Sequence, residues 1–176
     1  ADYRYFPEPD IPPMELAELA EEISRTIPEL PWNKRRRLVS EYGFKMEDAR
    51  QMVDDPKVAD FVEQTMSELG GWLEADDQVT RDEVPDAQKK MAKLVAGWLL
   101  NKLMGELAKR GGSIHTMKIT QENFAEFVKL IGDGKLTGTK GLEVLNRMLD
   151  DGIDPEHAME ELGATRMDDV TALAQI

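Results

Sequence analysis

The 176-residue chain contains no cysteine. Disulfide frameworks, thiolate nucleophiles and cysteine-bound zinc are therefore excluded, and a reducing, cytoplasmic setting is expected. Histidine is nearly as scarce: His115 and His157 are the only two, and they fall in different predicted elements, so no imidazole-based acid–base pair or metal cluster converges. His157 stands in Pro-Glu-His-Ala-Met-Glu-Glu, which lacks the second histidine of the metalloprotease helix. Both histidines read as surface residues. No apolar run approaches the roughly 20 residues that a membrane helix needs. Positive charge is also in deficit. With 22 basic against 35 acidic residues the net charge is −13, which repels a polyanion on average, so contact with nucleic acid must come from local patches. The chain starts at Ala1 without methionine and without a basic segment leading into an apolar stretch, and it reads as a fragment with no signal peptide.

What is present is 41% hydrophobic and 32% charged residues, the balance of a globular chain long enough for one or two domains. No alternation supports a strand, and the fold class is expected to be all-α: a helical bundle followed by a small helical tail. The first thirteen residues hold four prolines and three aromatics and read as an extended connector. Met14, Leu16, Leu19, Ala20 and Ile23 then recur at helical spacing, predicting a helix to about 27. Pro31 opens a second, over about 32–42. Further helices are expected over about 46–54, 56–70 and 85–109, the last two separated by an acidic loop at 74–85. Met91, Leu94, Val95, Trp98, Leu99, Leu103 and Leu107 give the longest helix a wide apolar stripe, so it is expected to be central.

Gly111-Gly112-Ser113 ends that pattern, and 112–119 is expected to be a hinge between a helical domain, 14–111, and a tail, 120–176. In the tail, Thr120 is placed to cap a helix whose buried face holds Phe124, Phe127, Val128 and Ile131. Thr137 is placed to cap the next, Asp154-Pro155 opens a third, and 168–175 is expected to form a short fourth. About 60 residues make a marginal domain, so the tail needs something to dock it. Trp32, Trp72 and Trp98 are assigned to packing.

Two loop motifs fail on spacing. No register of Gly132-Asp-Gly-Lys-Leu-Thr-Gly-Thr-Lys-Gly141 supplies a P-loop. Asp133 to Thr137 copies the middle of a calcium loop, but Lys129, Ile131 and Lys140 would occupy positions that demand oxygen ligands. What remains is a glycine-rich turn flanked by Lys135 and Lys140, either a plain helix connection or a phosphate contact at a helix start. The run Lys34-Arg35-Arg36-Arg37 likewise stays open between a solvated face paired with acids and a phosphate footprint. A third group, Lys89, Lys90, Lys93, Lys102, Lys109 and Arg110, shows no continuous stripe along its helix.

The opening, Asp2-Tyr3-Arg4-Tyr5-Phe6-Pro7-Glu8-Pro9-Asp10-Ile11-Pro12-Pro13, resembles the segment by which GatB proteins, of the tRNA-dependent amidotransferase, leave their catalytic cradle domain. Trp98-Leu99-Leu100, Gly112-Ser113-Ile114, Phe124 to Ile131, Gly134-Lys135-Leu136-Thr137-Gly138 and Val144 to Met148 continue the resemblance in order, the last three within a YqeY-like tail. Two departures stand out: Gly97 where the family commonly has asparagine, and Gly141 where it has an alanine. The resemblance implies a heterotrimeric complex with the GatA and GatC proteins that amidates Glu-tRNA(Gln) and, in many members of the family, Asp-tRNA(Asn). GatA would release ammonia, and the GatB cradle would use ATP and Mg²⁺. The present residues would hold tRNA and carry no catalytic group or cofactor of their own. Its candidate tRNA contacts are Lys129, Lys135, Thr137, Lys140 and Arg147 in the tail and Lys34, Arg35, Arg36 and Arg37 upstream. The competing expectation is a helical protein-interaction module without RNA binding, suggested by ten methionines.

Overall fold

A computed structural model of the chain describes residues 15–76 and 80–163. The expected connector at 1–13 and the last helix at 168–175 lie outside the described residues. The described segments are helical with short turns, and no strand occurs among them. The chain divides into two compact units, Ala1–Leu30 and Pro31–Ile176.

The described part of the first unit is helix α1, Ala17–Thr26, and the residues flanking it. Its apolar positions Leu16, Leu19, Ile23 and Ile27 are all about half exposed, and no residue of α1 is buried.

The second unit starts with α2, Pro31–Arg37, which runs into a π-helical turn, Leu38–Tyr42. Gly43 ends it in the left-handed region at φ 77°, where a side chain would be strained. Then follow α3, Met46–Val53, and α4, Pro56–Ala75. The start of α4 is fixed locally: the Asp55 carboxylate accepts from Lys57 N at 2.8 Å and Pro56 occupies the first turn, where its missing N–H costs nothing. The long helix expected at 85–109 is three pieces: α5, Val84–Trp98, a π-helical turn, Leu99–Leu103, and α6, Met104–Lys109. Leu99 and Leu103 of the turn are fully buried.

Beyond 112–119 lie α7, Gln121–Gly132, α8, Gly138–Asp151, and α9, Pro155–Glu161. Thr120 caps α7 by accepting from Asn123 N at 3.2 Å, and Asp154 caps α9 by accepting from His157 N at 2.8 Å. Thr137 stands at the N-cap of α8, but its side chain makes no capping bond. The segment 112–119 falls inside the second unit, and one apolar core runs from Leu38 to Met159 across it, with Ile114 and Ile119 contributing. The tail is docked through α7, which packs against α4 and α5. Its face carries Phe124, 5.4 Å from the Phe61 ring of α4, and Phe127, edge-on to Trp98 of α5 at 4.9 Å. Both phenylalanines are fully buried, and truncating either to alanine would cost about 3–5 kcal/mol.

Candidate nucleic-acid interface

The cations of α2 divide by helix face. Lys34 and Arg37 turn toward α4. The Lys34 ammonium meets Asp60 at 2.8 Å and Glu63 at 3.0 Å, and Arg37 pairs with Glu63 and with Glu41 at 3.4 Å. Burial alone would lower the Lys34 pKa, but the hydrogen bonds to Asp60 and Glu63 outweigh it and hold the group above the ordinary lysine value. Lys34 is only 17% exposed, so a phosphate would have to displace two carboxylates to reach it. Arg35 and Arg36 have no ion pair or hydrogen bond among the described residues, and the Arg35 Nε–H is shielded from water with no acceptor. A shielded donor left unsatisfied is costly, of the order of 1–3 kcal/mol.

Trp32 of the same helix is 59% exposed, which corrects its assignment to packing. The helix packs on α3, and Lys34 and Arg37, whose side chains reach α4, project from the side of α2 opposite Trp32. The assignment holds for the remaining two: Trp98 is buried and Trp72 is half-buried against the core.

The second set of candidates surrounds the α7–α8 turn. Lys129 lies 3.9 Å from Asp133, Lys140 pairs with Glu143 at 2.7 Å, and Arg147 pairs with Asp151 and with Glu161, the latter at 2.8 Å. Those carboxylates hold the Arg147 guanidinium even further into its charged range, the Glu161 hydrogen bond foremost. Lys135 has no side-chain partner among the described residues, and the Thr137 hydroxyl is not committed to its helix cap. The structure therefore brings Lys129, Lys135 and Thr137 to one turn, leaves Lys140 and Arg147 neutralised along α8, and sets α2 apart as a second locus.

Sequence reasoning missed the acidity of the turn's surroundings. A groove of about 550 Å³ between the end of α4, α7 and α9 is walled by Asp76, Glu122, Glu126, Asp133 and Glu156, with Trp72 at one side, and Lys129 and Lys135 are its only cations among the described residues. Burial pushes the Glu126 carboxyl above the usual range, and Glu156, Asp154 and Glu122 add to the shift. Alternation of acids along α7 is visible in the sequence, but Asp76 and Glu156 arrive from other helices.

In the third basic group Arg110 and Lys90 tie helices together, while Lys93 and Lys102 are exposed. Arg110 donates to Asp150 at 3.1 Å and to Asn146 at 3.0 Å, tying the end of α6 to α8, while Lys90 donates to the Gly132 carbonyl at 3.4 Å. His115 meets the α4 capping residue Asp55 at 2.8 Å, and that hydrogen bond, with the Lys57 N–H, holds the Asp55 carboxyl below its ordinary pKa. No group of three potential metal ligands occurs among the described residues, and none of their helices is long and apolar enough to cross a membrane.

Comparison with known proteins bears on the whole chain. It is 32% identical over 176 residues to the GatB protein of the Rhodopseudomonas palustris aspartyl/glutamyl-tRNA(Asn/Gln) amidotransferase, covering 99% of this chain and 32% of that one. The proteins of the same name from Prochlorococcus marinus and Thermotoga maritima are 30% and 29% identical, each over 177 residues and 100% of this chain, covering 32% and 33% of theirs. The chain thus spans about a third of the length of these relatives. Residues 82–176, more than half of it and including all of α5 to α9, match the family described as the GatB domain, and the chain belongs to that family.

Proposed function

We propose that this chain is the RNA-holding part of the GatB protein of a tRNA-dependent amidotransferase, acting in protein biosynthesis in the cytoplasm on tRNA(Gln) and tRNA(Asn). The observation that carries the reading is the match along its full length to proteins of that name. In the whole protein, ATP and Mg²⁺ would serve the remaining two thirds, and the GatA and GatC proteins would complete the assembly. This chain would position the substrate. Among the candidate contacts, Arg35, Arg36, Lys135 and Thr137 have capacity for phosphate, because their charges or hydroxyl are not engaged by carboxylates or caps. Lys34, Arg37, Lys129, Lys140 and Arg147 would have to exchange partners first.

The test is an anisotropy titration of labelled tRNA(Gln) transcript with the full-length protein, repeated across salt concentrations. Lys135→Glu and Arg36→Glu should each weaken binding and lower the magnitude of the salt slope by about one. Lys140→Glu should do less, since Glu143 already neutralises that ammonium. Unchanged affinity in both of the first two variants would remove these contacts from the reading. A second reading, a protein-docking module, has in its favour the open apolar positions Leu16, Leu19, Ile23 and Ile27 around α1. Recovery of a protein partner lost in Leu19→Ser/Ile23→Ser, together with no RNA binding, would replace the first reading by the second.

A further inference from the structure

We propose that Trp32, with Arg35 and Arg36 one turn further along α2, forms a stacking platform for an unpaired RNA base whose flanking phosphates meet the two arginines. The inference rests on the RNA-binding reading above and deepens it by naming a site for a single-stranded nucleotide.

Three observations meet on one helix. An α-helix turns about 100° per residue, so from Trp32 the side chains of Arg36 and Arg35 project at about +40° and −60°, while Lys34 and Arg37 project at about 200° and 140°. Lys34 and Arg37 are the two cations bound to Asp60 and Glu63 of α4. The aromatic and Arg36, both exposed, therefore share the face turned away from α4, with the half-buried Arg35 at its edge, its Nε–H shielded and without an acceptor. Residues three and four apart on a helix are neighbours, so the indole and the guanidiniums form one patch.

The chemistry of the patch selects its occupant. An indole face is wide, flat and uncharged, and no ring contact or hydrogen bond engages Trp32 among the described residues, although it is 59% exposed. A partner helix laid in an apolar groove would need apolar anchors repeated at these three- and four-residue steps, and here the steps hold arginine. A flat ring with negative charge at its edge matches both parts, and that is a nucleotide with its base unstacked. Stacking also answers the charge problem posed by −13: its contribution does not depend on the protein's net charge, whereas every phosphate contact must overcome average repulsion.

The experiment uses the full-length protein with two labelled probes, a tRNA(Gln) transcript and a blunt RNA duplex without unpaired bases. Anisotropy and intrinsic tryptophan emission are read in parallel at low salt. With tRNA, a saturable quench should appear that is absent in Trp32→Leu, whose affinity falls about tenfold and whose salt slope is unchanged. Trp32→Phe should keep most of the affinity, and Arg36→Ala should keep the quench while reducing the salt slope by about one. The duplex should bind without quenching. Wild-type affinity in Trp32→Leu, or an equal quench by the duplex, would overturn the stacking site while leaving RNA binding in place. Failure of the wild-type protein to bind tRNA at all would overturn both, and an indole shielded from acrylamide in the RNA-free full-length protein would show Trp32 to be an internal contact and overturn the platform.

Discussion

Replacing Gly141 by alanine sets two physical effects against each other at one position. Gly141 is a buried residue in the first turn of α8, and a Cβ placed there would lie 2.7 Å from Ile131 Cδ1, 2.7 Å from Trp98 Cη2 and 3.1 Å from Trp98 Cζ2. Helix propensity alone favours alanine by about 1 kcal/mol. Overpacking a dense core costs typically about 1–3 kcal/mol. Which wins depends on what can move. The Ile131 methyl is the end of a flexible side chain on a half-buried residue, but the Trp98 ring is 8% exposed and held edge-on against Phe127 at an interplanar angle of 88°, so it has little room to yield. The expected net effect is a loss of about 1 kcal/mol, or about 2–4 °C in Tm for a unit of this size.

Gly97→Ala is the control, because it lies in α5 with nothing within 4 Å of its added Cβ; it should gain about 0.5–1 kcal/mol. Adding Ile131→Val to Gly141→Ala removes one of the two close contacts and should recover part of the loss. Urea unfolding gives the energies and near-ultraviolet circular dichroism follows the tryptophans. If Gly141→Ala were as stabilising as Gly97→Ala with an unaltered aromatic spectrum, the reasoning that Trp98 forbids a side chain at 141 would be refuted.

Thr120→Ala should cost about 1 kcal/mol in urea unfolding, since its hydroxyl caps α7, whereas Thr137→Ala, whose hydroxyl caps nothing, should stay within about 0.5 kcal/mol; equal losses would contradict the cap assignment. Asp55→Ala should cost about 1 kcal/mol at neutral pH through the α4 cap. Because the folded carboxyl is held below its ordinary pKa, the charged form's contribution is fully present above the unfolded value of about 3.9 and is lost as pH falls through the lower folded value. The stability gap between the protein and Asp55→Asn, which keeps a capping acceptor, should therefore be flat above about pH 5 and close below about pH 4. A gap that widened on acidification would reverse the sign of this linkage.

Helix positions were legible in the sequence where they are set by local forces. Asp55-Pro56, Thr120 and Asp154-Pro155 name helix starts because the cap bonds reach only two or three residues. The stripe Phe124, Phe127, Val128 names a buried face because burial of one side of a helix needs only its own period. The fate of each cation was not legible, because the partners arrive from distant segments. Lys34 finds Asp60 across 26 residues and Arg110 finds Asp150 across 40, and neither distance has a sequence period to betray it. The same limit governs Trp32, whose exposure depends on which side of α2 packs against the rest of its unit. Long-range pairing also changes what the net charge means. An acidic excess spread over helix faces captures many of the described basic residues in pairs, among them Lys34, Arg37, Lys140 and Arg147, so counting lysines near a turn overstates its pull on phosphate. Among the candidate RNA contacts, what survives the pairing is Arg35 and Arg36 beside an open indole and Lys135 beside an uncapped threonine, and RNA affinity should depend more on those groups than on the paired candidates Lys34, Arg37, Lys129, Lys140 and Arg147.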